Sequence, residues 1–128
     1  MKIERLDHLV LTVADITATC DFYRTALGME VITFGEGRTA LRFGNQKINL
    51  HEAGREVDPK AERPTPGSGD LCFITGIPLD SVVAHLKECG VEILLGPVRR
   101  TGARAMLNSL YLRDPDHNLV EVSNELPD

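Results

Sequence analysis

The chain is expected to fold as an α+β protein, two tandem β-α-β-β-β modules forming a curved mixed sheet around a cup-shaped site. One order of elements reads through twice, and short segments recur at a fixed offset: Gly28-Met29-Glu30-Val31 returns as Gly90-Val91-Glu92-Ile93, a shift of 62 (90 − 28). Between the copies, residues 52–69 (EAGREVDPKAERPTPGSG) turn abruptly to charge, Pro and Gly, the composition of a connection. Module 1 is thus placed at about 1–51, the linker at 52–69 and module 2 at about 70–124, all within one domain of 128 residues.

The elements follow from local pattern. In Leu6 to Val13, Leu9 and Leu11 face one way while His8, Val10 and Thr12 face the other, which reads as a strand. Asp15 is placed as a helix N-cap; Ile16, Cys20, Tyr23 and Leu27 follow at helical spacing, and Gly28 supplies the stop. Met29 to Phe34, Arg38 to Phe43 and Lys47 to His51 are strands separated by the turns Gly35-Glu36-Gly37 and Gly44-Asn45. After the connection come a strand over Asp70 to Thr75 and a helix over Leu79 to Cys89, entered near Pro78 and stopped at Gly90. Val91 to Leu95 is expected to extend, Gly96-Pro97 to break it, and Arg99 to Arg104 to form a basic loop. Ala105 to Arg113 and Leu119 to Ser123 close the chain as a hairpin around Asp114-Pro115-Asp116-His117-Asn118.

Composition narrows the function. A net charge of −5 lacks the clustered Lys and Arg excess that phosphate binding needs, so neither nucleic acid nor an anionic membrane is the expected partner. A small molecule is. No stretch approaches the ~20 apolar residues of a membrane span, and the N-terminus lacks the apolar run of a signal peptide. Cys20, Cys72 and Cys89 lie in apolar-patterned segments without CxxC spacing, so buried, reduced thiols and a cytoplasmic location are expected. A short curved sheet leaves edges and apolar helix faces to cover, which favours a homodimer.

Carried to the first strand, the shift of 62 sets His8 opposite Asp70; a shift of 72 (121 − 49) between the final strands sets Asn49 opposite Glu121. If the modules pair about a pseudo-twofold axis, His8, Asn49, Asp70 and Glu121 point into one cup. An imidazole, two carboxylates and an amide make a site for a divalent metal with open positions, and this oxygen-rich set suits Mn²⁺, Mg²⁺, Fe²⁺ or Ni²⁺ better than Zn²⁺.

The paired modules, the first-strand His8, the segment FYRTALGMEV and the ending DPDHNLVEV resemble the vicinal oxygen chelate superfamily, over nearly the whole chain. That superfamily includes glyoxalase I, extradiol dioxygenases, fosfomycin-resistance transferases and bleomycin-binding proteins. The resemblance implies that His8 and Glu121 are metal ligands. It also marks two departures: Asp70 stands where His is usual, and Asn49 where glyoxalase I has Glu or Gln. The expected activity is that of a metal-dependent, glyoxalase-like (lactoylglutathione lyase-like) lyase or isomerase acting on a small molecule with adjacent oxygens. Glu121 and His51, two residues beyond Asn49 and on the same face, are its candidate catalytic groups. Arg100 and Arg104 are candidate substrate contacts. An iron-dependent extradiol-type dioxygenase and a non-catalytic antibiotic-binding protein are the alternatives the resemblance leaves open.

Overall fold

The computed structural model describes residues 1–128. The chain divides into two compact units, Met1–Gly67 and Ser68–Asp128, so most of the 52–69 segment clusters with the first. Unit 1 holds β1 (His8–Val13), α1 (Ile16–Leu27), β2 (Glu30–Phe34), β3 (Arg38–Phe43) and β4 (Gln46–Glu52). Unit 2 holds β5 (Asp70–Ile74), α2 (Leu79–Glu88), β6 (Leu95–Thr101), β7 (Met106–Arg113) and β8 (Leu119–Glu125). Each is one β-α-β-β-β module with its own four-stranded mixed sheet, ordered β1-β4-β3-β2 and β5-β8-β7-β6. The α+β class and the doubled module are as the sequence predicts.

In both units the first strand runs parallel to the last, and the remaining pairs are antiparallel. The registers match as the repeat requires: His8 lies opposite Lys47 and Val10 opposite Asn49, while Asp70 lies opposite Leu119 and Cys72 opposite Glu121. Adding 62 and 72 to the first two pairs gives the second two.

Helix α1 is capped from within its own sequence. Asp15 Oδ1 accepts from the Ala18 N–H at 3.1 Å, and Gly28, at φ 67°, lets its own N–H and that of Met29 return to the carbonyls of Arg24 and Tyr23. The helix packs on β2, β3 and β4, burying Thr19, Cys20, Tyr23 and Ala26. Leu11, Leu41, Ile48 and Leu50 form the buried face of the sheet. Alternation turns Val10, Ala40, Asn49 and His51 to the opposite face.

Helix α2 has no such cap, because Pro78 at its N-cap position makes no side-chain hydrogen bond. Asn124 of β8 does the work instead: its Oδ1 accepts from the Leu79 N–H at 2.9 Å, and its Nδ2 donates to the carbonyls of Thr75 and Ile77, each at 2.9 Å. Leu110, Leu112, Val120 and Val122 are the buried sheet residues of this unit, leaving Cys72, Ser109, Tyr111, Glu121 and Ser123 on the other face.

The closing hairpin forms as expected, pairing Arg113 with Leu119. Its turn is held by Asp114, which is buried. Oδ1 accepts from the N–H groups of Asp116 and Asn118, each at 2.9 Å, and Oδ2 accepts from Asn118 Nδ2 at 2.8 Å. Asn118 Oδ1 in turn accepts from the Gly69 N–H at 2.7 Å.

Two expectations are corrected here. Gly96-Pro97 does not end a strand, and Arg99 and Arg100 are not in a loop; β6 begins at Leu95 and runs through all four. β6 is an edge strand, where a proline costs no ladder bond, and the dipeptide is absorbed by a register shift between Leu95 and Val98. Gly96 makes this possible: its φ is 112°, and a Cβ there would run into the Ser109 carbonyl and Leu110. Second, only Cys20 is buried; Cys72 and Cys89 are exposed. Cys72 lies on the outward face of β5 and Cys89 at the C-cap of α2, positions that apolar composition alone does not reveal.

Gly96→Ala should therefore lower the unfolding free energy by about 2–4 kcal/mol, combining backbone strain with overlap. Gly37→Ala, with φ 76° but open space around it, should cost about 1–2 kcal/mol. Urea denaturation of the two variants checks the difference.

Candidate functional site

The outer face of each sheet carries the residues of interest. On unit 1, His8 begins β1, and its Nδ1 lies 2.9 Å from Asp7 Oδ2. That hydrogen bond holds the Asp7 carboxyl below the usual range. Engagement of one ring nitrogen by a carboxylate is how ligating imidazoles are commonly oriented, and it leaves Nε2 open. On the neighbouring β4, Asn49 and His51 are 4% and 6% exposed, yet Asn49 Oδ1 and His51 Nε2 have no hydrogen-bond partner. Burial, and secondarily the charge of Arg38, pushes the His51 imidazole below its ordinary pKa, against an opposing pull from Glu56. Both influences favour the neutral imidazole. His8, Asn49 and His51 are brought to one face of unit 1.

On unit 2, alternation puts Asp70, Cys72, Tyr111, Glu121 and Ser123 on one face. A cleft of ≈ 440 Å³ opens there, lined by Arg100, Arg104, Glu121, Glu125, Cys72 and Leu107 among others. Arg100, Arg104 and Glu121 therefore meet around one cavity; Asp70, exposed at the start of β5, is not among its lining residues. Arg100 Nε donates to the Tyr111 hydroxyl at 3.0 Å and a second guanidinium nitrogen to the Arg99 carbonyl, which steadies the fork without neutralising it. Arg104 is differently placed. It makes a two-pronged pair with Glu125 at 2.7 and 2.8 Å, which holds the Glu125 carboxyl below its usual range and raises the guanidinium.

The donor chemistry suits a divalent ion. His8 has one ring nitrogen engaged by Asp7, and Glu121 accepts a long hydrogen bond from Ser123 Oγ at 3.4 Å. In neither unit, however, do three or more His, Cys, Asp or Glu side chains come together as a group able to hold a metal.

Sequence reasoning did not single out three contributors. Asp7 was signalled only by standing next to His8. Cys72 sits opposite Glu121, a juxtaposition that appears once β5 and β8 are paired. The hydroxyl chain Ser109–Ser123, 2.6 Å between oxygens, continues to Cys72 Sγ at 3.5 Å and gave no sequence signal.

Comparison with known proteins places these faces in context. The sequence pattern of the Glyoxalase/Bleomycin resistance protein/Dioxygenase superfamily matches residues 5–122. Virulence protein STM3117 of Salmonella typhimurium (strain LT2) is 55% identical over 123 residues, 96% of this chain and 85% of that one. Its crystal structure superposes with a TM-score of 0.97 at 54% identity, covering 98% of this chain and 100% of the other. Glyoxalase domain-containing protein RDO1 of Mycosarcoma maydis is 52% identical over 124 residues, 97% of this chain and 70% of its own. Metallothiol transferase FosB of Shouchella clausii is 26% identical over 118 residues, 91% of this chain and 77% of that protein.

Desolvation raises the pKa of Cys20 and, although the residue is exposed overall, of Cys72, where the Ser123 hydrogen bond opposes it and Glu121 adds to it. A raised thiol pKa means less thiolate at a given pH. Iodoacetamide at pH about 8 should modify the exposed Cys72 and Cys89 before the buried Cys20, read as a mass-spectrometric time course.

Proposed function

The chain belongs to the Glyoxalase/Bleomycin resistance protein/Dioxygenase superfamily, and from that premise we propose that it is a metal-dependent, glyoxalase-like lyase or isomerase of a small molecule with adjacent oxygens. The observation that carries this reading is the unit 2 cleft, whose lining includes Glu121 together with Arg100 and Arg104. A carboxylate facing cations in an open cleft is suited to a polar, anionic ligand rather than to an apolar one.

The proposed metal donors are His8 and Asn49 on the unit 1 face and Asp70 and Glu121 on the unit 2 face. When bound, a divalent ion polarises substrate oxygens and stabilises the negative charge that develops on them. Asp7 fixes the orientation of His8. His51, whose neutral form is favoured by burial, would take a proton from one substrate carbon through its unpartnered Nε2 and return it to the adjacent carbon. Arg100 holds an anionic end of the substrate; Arg104 does so only by exchanging its pair with Glu125. The divalent ion finds support in the name of a relative 26% identical over 118 residues, metallothiol transferase FosB. Homodimerisation and a cytoplasmic location complete the proposal; three free thiols suit a reducing compartment. No helix is long and apolar enough to cross a membrane.

A second reading, binding without chemistry, is favoured by one observation: neither unit gathers three metal donors.

Metal analysis after anaerobic reconstitution with Fe²⁺, Mn²⁺, Ni²⁺ or Zn²⁺ should find stoichiometric binding that weakens about 10–100-fold in His8→Ala and Glu121→Gln. Unchanged affinity in both would sink the metal site. The loaded protein should isomerise the methylglyoxal–glutathione adduct without consuming O₂. His51→Gln should lower turnover by about 10²–10⁴ while leaving metal content intact. Oxygen uptake with catechols, seen only with Fe²⁺, would replace this reaction by ring cleavage, and ligand binding without turnover under every metal would replace it by sequestration.

A further inference from the structure

We propose that the outer face of unit 1 is a receptor for a small hydroxy acid, its carboxylate taken by Arg38 and Lys47 and its hydroxyl by Asn49 and His51. This deepens the proposed function by naming a ligand class for one face, and rests on that reading only in placing a small molecule against His51.

Register puts the four side chains together. Lys47, Asn49 and His51 alternate along one face of β4. Ala40 of β3 lies opposite Asn49, and Arg38, two residues before it, shares its face and is paired with Phe34 of β2. The ring of Phe34 is where the cations converge: Lys47 Nζ lies 3.6 Å from its centroid and the Arg38 guanidinium carbon 4.8 Å. Both cations are half-buried, and neither is in an ion pair, whereas Arg5, Arg24, Arg42 and Arg55 of the same unit each have a carboxylate. The carboxylates that reach this face electrostatically are engaged elsewhere. Asp7 feels Lys47 only as its weakest influence and is bonded to His8; Glu56 accepts from the Gly54 N–H at 2.6 Å.

Cation–π contact accounts for where the two cations sit, at about 0.5–1 kcal/mol each, but leaves two like charges side by side. An anion between them removes that repulsion. It does not account for Asn49 Oδ1 and His51 Nε2, two polar atoms more than nine-tenths buried with no partner on the protein. Native structures rarely leave such atoms unpaired, since each forfeits a hydrogen bond's worth of solvation. An amide oxygen needs a donor, which a carboxylate cannot supply and a neighbouring hydroxyl can. Two cations beside two orphaned polar atoms thus ask for an anion and a hydroxyl on one small molecule.

Glycolate is the probe, with acetate and ethylene glycol each lacking one feature. The full chain is titrated without added metal, and the long-range ¹H–¹⁵N signals of the His51 ring are followed at constant pH. Glycolate should shift them saturably, acetate should bind about tenfold more weakly, and ethylene glycol should leave them unmoved. Arg38→Gln and Lys47→Gln should each weaken glycolate about tenfold, the loss expected for one charge-assisted hydrogen bond. Their backbone amide spectra establish that both variants fold. A His51 signal unmoved by glycolate, or moved equally in wild type and both variants, overturns the proposal. Because no turnover or metal is read, that result leaves the metal-dependent reaction standing, and glycolate binding by a protein without turnover would leave this inference standing alone.

Discussion

The unit 2 face depends on a carboxylate that takes no part in the proposed chemistry. Asp114 collects two backbone N–H groups and the Asn118 amide inside the last turn, and Asn118 passes the connection on to the Gly69 N–H. The Leu119 N–H returns to the Gly69 carbonyl at 3.0 Å. The start of β8 is thereby pinned to the residue preceding β5, which sets Asp70 against Leu119 and hence Glu121 against Cys72. A slip of one residue would turn Glu121 to the buried side and Val120 and Val122 out of it. The DPDHN segment that carries the family resemblance is, in physical terms, a register device. Its buried polar groups satisfy one another, which is the condition for placing them there at all.

The two faces solve the same geometry differently. Positions equivalent under the repeat are Val10, Asn49 and His51 in unit 1 and Cys72, Glu121 and Ser123 in unit 2. In unit 2 the polar groups have each other: Ser109, Ser123, Cys72 and Glu121 form a continuous run of contacts. In unit 1 they do not, and Asn49 and His51 are left with open valences in a buried place. A buried polar atom without a partner favours a ligand that supplies one. The unpaired atoms thus lie on the sheet face that carries His8 and His51.

Much of this was legible in the sequence because it is periodic or local. The alternation that turns Val120 and Val122 inward and Glu121 outward needs only a strand, and Asp15 and Gly28 bracket α1 through chemistry contained within one helix. The offsets of 62 and 72 anticipate the strand registers because parallel pairing of first and last strands is the same in both copies. What escaped depends on contacts distant in sequence. Gly96-Pro97 reads as a break unless β6 is known to be an edge strand with a shifted register. The exposure of Cys72, the pairing of Arg104 with Glu125 and the isolation of Asn49 Oδ1 and His51 Nε2 are properties of neighbours, and no spacing encodes them.

The way α2 is capped bears on the order in which the chain acquires structure. Helix α1 carries its N-terminal acceptor in the residue just before it, so its first turn can close as soon as those residues exist. Helix α2 borrows its acceptor from Asn124, 45 residues further on and close to the C-terminal end of the chain. During synthesis from the N-terminus, unit 1 can therefore consolidate while α2 still lacks a partner for its leading N–H, and unit 2 becomes cooperative only once β8 has emerged and docked. The last strand thus brings the Glu121 carboxylate and the missing helix cap in a single event, so a unit 2 helix with a settled start and a cleft with its acid arrive together.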